Sequence, residues 1–208
     1  GKVRSIITTK GQITTDTIVN ATGADAAGIG GLVDLNIPIK PRRGQILVTE
    51  AAPQFLGRGL LSAGYIAAKF DPALAKTHGV GISMDQTSSG NLLLGSTREF
   101  VGFDKRNTYE GITNILRNTS KIIPRLKNMH IIRSFAGLRP YTPDGLPILG
   151  KIQDIEGFIM AAGHEGDGMA LSPITGELIA ELIDTGKTRI SLDPFRLERF
   201  FNKNSKNN

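Results

Sequence analysis

The chain has 208 residues, room for one ordinary domain or two small lobes, and its 39% apolar and 21% charged residues exclude a disordered tail, a collagen-like repeat and a coiled coil. Zero cysteines exclude a disulfide framework, thiolate zinc ligation and a cysteine nucleophile, and the three histidines, His78, His130 and His164, are too few for a histidine-rich metal centre. The net charge of +6 is scattered, from Arg42 and Arg43 through Lys121, Arg125 and Lys127 to Arg196, Arg199, Lys203 and Lys206, and with 6% aromatic residues to stack bases this argues against a nucleic-acid partner.

The chain opens on a hairpin already under way, Val3 to Thr9 and Gln12 to Thr15 around Lys10-Gly11, so further sequence is expected before Gly1. Thr17 to Gly23 reads as a buried strand running into a tight loop, and 24–35 as a short helix; together these resemble the last strands of an α/β layer. From Gly44 the texture changes to strand-like runs at Gln45 to Glu50, Leu61 to Phe70, Val80 to Gln86 and Asn91 to Thr97, which predict a mostly antiparallel sheet. Ile112, Ile115, Leu116, Thr119 and Ile122 recur at helical spacing before Pro124 and predict one long amphipathic helix over 108–122. A strand over 130–138 follows, then a rigid loop imposed by Pro140, Pro143, Gly145, Pro147 and Gly150. Gly157 to Ala162 predicts a strand, and 168–185 a helix with Leu171, Ile174, Leu178 and Leu182 on one face; 202–208 reads as a frayed tail. No apolar run reaches the roughly 18 residues of a membrane span and no leader opens the chain, so a soluble cytoplasmic protein is expected. Asn20-Ala21-Thr22 and Asn118-Thr119-Ser120 are then chance matches to the glycosylation pattern.

Three segments carry candidate chemistry. Gly145 to Lys151 imitates a phosphate loop but places Ile152 where Ser or Thr is required, and Pro147 removes a backbone donor, so it reads as a proline-rich turn. Gly163-His164-Glu165-Gly166-Asp167-Gly168 joins a strand to a helix start; it fits a site for negative charge at the helix N-terminus or a turn capped by Asp167, with His164 a hydrogen-bonded structural residue rather than a base. Arg139 ends an apolar strand and needs an anion, either a substrate carboxylate gripped two-point or an ion pair with Asp144 or Glu165. Lys69, Met84, Gln86 and Tyr141 are read as sheet packing or surface before cleft lining.

Four segments together carry a resemblance: Ile18 to Ala24, Pro41 to Ile46, Ala136 to Gly150 and Ala161 to Gly168. In that order and spacing they resemble the glycine/D-amino-acid oxidase family of FAD flavoproteins, most nearly the branch of glycine oxidase, proline and hydroxyproline dehydrogenase FAD subunits, opine oxidase and hydrogen cyanide synthase. The likeness is to the carboxyl-terminal part of that family, since the fingerprint G-x-G-x-x-G is absent from the 208 residues. It implies an α/β (α+β) fold: a partial FAD-binding Rossmann-like domain from 1–44 and 136–208, and a mostly antiparallel substrate domain from 45–135. It also implies oxidation of the C–N bond of a small amino or imino acid by hydride transfer to flavin N5. Arg139 resembles the arginine that grips the substrate carboxylate. Gly163, His164, Glu165, Gly166, Asp167, Gly168 and Met169 resemble the turn facing the flavin pyrimidine edge, and Gly23 the glycine lying close to the nucleotide. The chain departs from the family in Gly166, where glycine oxidases carry a larger basic residue, and in lacking a tyrosine near Ser83. Without cysteine, FAD is expected to be held non-covalently, and weakly or not at all by this segment alone. Electron-transfer subunits are expected partners, as in the hetero-oligomeric members. The rival expectation is a non-catalytic binding or assembly lobe that needs a flavin-bearing partner.

Overall fold

The structure is a computed structural model that describes residues 1–70 and 80–201. The chain divides into two units, Gly1–Lys40 with Arg139–Asn208, and Pro41–Leu138.

The first unit is built on a three-stranded sheet in the order β3 (Ile18–Asn20), β10 (Phe158–Ala162), β9 (Ile148–Lys151). β10 runs parallel to β3 and antiparallel to β9. Successive β10 side chains point to opposite faces, and both faces are covered: Phe158, Met160 and Ala162 enter one core with Ala26, Ile37, Ile39 and Leu197, while Ile159 enters another with Leu178, Ile179 and Leu192. That double burial is why β10 is an unbroken apolar run. A separate hairpin, β1 (Ser5–Thr8) and β2 (Gly11–Thr14), turns at Gly11, whose φ of +123° suits glycine. The expected helix at 24–35 is shorter: a turn at Gly23–Asp25 runs into α1, Ala26–Gly31. Asn20 holds this corner from 1% exposure, donating to the Ala26 carbonyl at 3.0 Å and accepting the Thr22 hydroxyl at 2.8 Å. Its amide nitrogen is thereby committed inside the protein.

The closing helix α4, Gly168–Thr185, has the predicted bounds and packs with Ile174, Leu178 and Leu182 of the predicted face, joined by Thr175 and Ile179, while Leu171 is 39% exposed. Pro173 lies inside this helix and cannot donate to the Met169 carbonyl; the Ser172 hydroxyl donates to it instead, at 3.0 Å.

The second unit carries a five-stranded sheet in the order β5 (Leu60–Leu61), β6 (Val80–Gln86), β7 (Asn91–Thr97), β4 (Lys40–Ala51), β8 (Ile131–Tyr141). The β4–β7, β5–β6 and β6–β7 pairings are antiparallel. Its core joins Leu47, Met84, Leu92 and Leu94 of the sheet to Ile115 and Leu126. Ile115 belongs to α3, Tyr109–Ile122, whose first turn is capped by the Thr108 hydroxyl accepting Gly111 N–H at 3.1 Å. Gln45 supports that cap from the sheet, accepting Thr108 N–H at 2.8 Å; a Cβ at Gly111 would lie within 2.4 Å of its side chain.

Two expected elements are corrected. Leu61 to Phe70 is not one strand: β5 stops at Leu61 and α2, Ala63–Phe70, follows. Ser62 makes the switch, its hydroxyl accepting Tyr65 N–H at 3.0 Å in the manner of a helix cap. The loop expected from Pro140 begins later, because β8 runs to Tyr141; β8 is an edge strand, where proline sacrifices no ladder donor.

Candidate functional site

The site is assembled within the first unit, where the end of β8 meets the turn between β10 and α4. After Ala162 the backbone enters the left-handed region at Gly163, φ +88°, and again at Glu165, φ +52°. A Cβ at Gly163 would lie 2.7 Å from Thr142 Cγ2, so the closeness of the two segments depends on glycine. Glu165 N–H then donates to the Pro140 carbonyl at 3.1 Å, and Asp167 N–H to the His164 carbonyl at 3.0 Å. Thr142, fully buried, donates its hydroxyl to the Leu146 carbonyl at 2.8 Å and so holds the other side of the approach.

Arg139 and Gly166 are neighbours: Arg139 Cδ and Nε stand 3.9 Å from where a Gly166 Cβ would lie, an ordinary contact distance. Arg139 Nε is 3.9 Å from a Glu165 carboxylate oxygen, with side-chain exposures of 16% and 4%. Of the two ion-pair partners considered for Arg139, Glu165 is the one it faces. Asp144 is engaged by Arg199 through paired contacts of 2.7 and 3.1 Å, and Arg199 together with the Leu146 amide holds the Asp144 carboxyl below its usual range against the opposing effect of burial.

His164 Nε2 lies 3.0 Å from the Thr175 hydroxyl. Burial lowers its pKa, with Asp167 opposing, so the imidazole is neutral at neutral pH. Asp167 occupies the N-cap position at φ −95°, ψ 0°, and its side chain makes no capping hydrogen bond. That removes the capped alternative: with helical backbone, the carboxylate makes no cap bond to the first-turn amides. The Glu165 carboxylate takes a nearby donor instead, accepting Gly166 N–H at 2.8 Å. Gly168 packs against His164, and Met169 beside it is 93% exposed. A hollow of about 330 Å³ runs along this helix start, lined by Val19, Ala21, Ala161, His164, Gly168 and Ser172 among others.

Gly23 adopts φ +62° at the loop after β3, with nothing within 4 Å of the position a Cβ would take. Met84 is fully buried core, and Gln86 is a structural hub that accepts the Phe55 and Leu56 amides at 3.0 and 3.1 Å. The side chain of Lys69, His78 and the tail 202–208 lie outside the described residues. Sequence reasoning missed Asn20 and Thr142, although Asn20-Ala21-Thr22 next to a glycine is a signal for side-chain capping of a loop. Among the described residues, no helix is long and apolar enough to cross a membrane.

A neutral imidazole, an arginine and the first-turn amides of a helix, which no intrahelical carbonyl can satisfy, form a donor-rich set suited to a ring bearing carbonyl oxygens and to a carboxylate. Comparison with known proteins gives this arrangement its class: residues 1–182 match the family described as FAD dependent oxidoreductase, and the chain belongs to that family. Within it, the chain is 35% identical over 185 residues to hydrogen cyanide synthase subunit HcnC of Pseudomonas aeruginosa, covering 88% of this chain and 40% of that protein. It is 32% identical over 198 residues to glycine oxidase of Geobacillus kaustophilus, covering 94% and 48%. The crystal structure of that glycine oxidase superposes with a TM-score of 0.82 at 31% identity, over 94% of this chain and 48% of that one. L-proline dehydrogenase from P. horikoshii superposes at 0.84 and 30% identity, over 96% and 51%. The chain therefore spans between 40% and 51% of the length of these relatives.

Proposed function

We propose that the whole protein holds FAD non-covalently and oxidises the C–N bond of a small amino or imino acid, this chain contributing the carboxylate-binding arginine and the turn that faces the flavin. The observation that carries this reading is the meeting of Arg139 with the Gly163 to Gly168 turn inside one unit, its Nε 3.9 Å from the Glu165 carboxylate. Bound FAD supplies a two-electron acceptor for the hydride of the substrate α-carbon. Arg139 binds the substrate carboxylate through its guanidinium fork and so presents the α-carbon in one orientation. The first-turn amides of α4, from Gly168 and Met169, would hold the pyrimidine side of the flavin, where the helix dipole would favour negative charge. His164 stays neutral and hydrogen-bonded to Thr175, fixing the turn without exchanging a proton. Gly23, with open space beside it, leaves room for the nucleotide. Electron-transfer subunits are the proposed acceptor partners, in keeping with the likeness to a subunit of hydrogen cyanide synthase.

The test is Arg139→Ala in the full-length FAD-loaded protein: flavin retained and affinity for small carboxylates lost supports the role, and retained carboxylate affinity removes it. A second reading is favoured by the absence of G-x-G-x-x-G from the 208 residues: this chain by itself is a non-catalytic lobe. Adding FAD to the purified chain separates the two, since a bound flavin spectrum counts against the lobe.

A further inference from the structure

Glu165 occupies a position that resists its side chain. Its backbone at φ +52° is a conformation glycine or asparagine takes at less cost, and its carboxylate is buried to 4% exposure, which adds a desolvation penalty that an amide would avoid. The charge is put to use on two sides. One oxygen accepts Gly166 N–H at 2.8 Å, and the other stands 3.9 Å from Arg139 Nε. That nearest approach is on the arm of the guanidinium rather than at its terminal fork, the part that grips a carboxylate two-point. Position 166 brings no second cation, because it is glycine, so the Glu165 charge meets Arg139 without an added basic side chain there.

We propose that Glu165 is the positioning residue of Arg139 and sets the selectivity of its site: it steadies the guanidinium by Nε and balances its charge, so that the site takes a zwitterionic amino or imino acid in preference to a bare carboxylate anion. A monoanion arriving here meets attraction from Arg139 and repulsion from Glu165 that largely cancel, whereas the ammonium of a zwitterion turns the second interaction into attraction. This rests on Arg139 receiving a carboxylate and specifies which carboxylates it receives.

The test uses the full-length FAD-loaded protein and matched probes that differ only by the nitrogen: acetate with glycine, and cyclopentanecarboxylate with proline. Dissociation constants are read anaerobically from the change in flavin absorbance. Glu165→Gln keeps the size of the side chain and an acceptor for Gly166 N–H while removing the charge. Relative to wild type, its preference should shift by about tenfold or more toward the bare carboxylate, a 1.4 kcal/mol change, with the loss in amino-acid turnover carried mainly by KM. An unchanged preference overturns the proposal, as does binding of neither probe pair by the wild-type protein. If Glu165→Gln loses its flavin, the double-mutant cycle of thermal midpoints with Arg139→Ala decides: non-additive losses support the contact and simple addition overturns it. Arg139→Ala that still binds acetate defeats the carboxylate reading itself, whereas loss of binding in Arg139→Ala with unchanged preference in Glu165→Gln defeats only the role of Glu165.

Discussion

His164 Nε2 and the Thr175 hydroxyl stand 3.0 Å apart, tying the turn after β10 to the second turn of the helix it opens. The turn is thus fastened in two directions from adjacent residues, by this bond and by the Glu165 amide on the Pro140 carbonyl.

The first prediction concerns pH. Burial holds the His164 pKa below 6.5 in the folded protein, so the unfolded chain takes up the proton first. Its contribution to stability is present above pH 6.5 and is lost as pH falls below it. Urea midpoints measured from pH 7.5 down to 5.5 should fall less steeply in His164→Gln than in the wild type. Thr175→Val should cost about 1 kcal/mol at pH 7.5, the worth of one hydrogen bond.

Two glycines of the same turn should behave differently. Gly163→Ala must adopt φ +88° and drive a methyl to 2.7 Å from Thr142 Cγ2, and should lose about 1–3 kcal/mol. Gly166→Ala meets only ordinary contacts at 3.9 Å and should unfold within about 0.5 kcal/mol of wild type. Equal losses in calorimetry would show that the turn is not locked against Thr142.

In the second unit, Arg43 is 4% exposed and pairs with Glu99 through contacts of 3.1 and 2.8 Å, while Glu99 also accepts Thr97 Oγ1 at 2.6 Å and Gln45 Nε2 at 2.9 Å. Burial raises the Glu99 pKa, but these donors outweigh it and leave the carboxyl below 4.5. The folded pKa is depressed, so this stabilisation is present above pH 4.5 and is lost as pH falls through the folded value. Glu99→Ala should cost about 2 kcal/mol, below the full penalty for a buried orphan charge, because Asp104 and the Arg106 carbonyl still hold Arg43. Denaturation at pH 7 measures it.

Arg139→Lys keeps the charge and removes the fork. In the FAD-loaded full-length protein it should raise KM by roughly 10- to 100-fold, the worth of a charge-assisted pair of hydrogen bonds, with a smaller change in flavin affinity. Steady-state kinetics with flavin spectra of the same samples check both parts.

Periodic signals were read correctly where one requirement acted alone. β10 and α4 carry apolar runs long enough that only burial explains them, and both stand where the pattern placed them. Leu61 to Phe70 misled because leucine, tyrosine, isoleucine and phenylalanine suit a strand as well as a helix, and the deciding feature is the Ser62 hydroxyl on the Tyr65 amide. Pro140 read as a strand terminator because a sequence does not show which strand lies at a sheet edge. The cap by Asp167, one of two readings of that segment, fails although its position just before the helix is right, because its backbone is helical and its side chain makes no cap bond.

Residue type, local spacing and periodicity by themselves determined the alternation of an α/β layer with an antiparallel sheet and the two segments that carry the candidate chemistry, and the family followed from the likeness of four motif segments to known flavoproteins. Only the folded chain decided which carboxylate Arg139 meets. Asp144 is five residues away and Glu165 is 26, but Asp144 is taken by Arg199 from 55 residues further on, while the left-handed turn at Gly163 and Glu165 carries the more distant carboxylate to Arg139. Charges choose partners by separation in space, and that separation is set by strand pairing and turn geometry that no local pattern records.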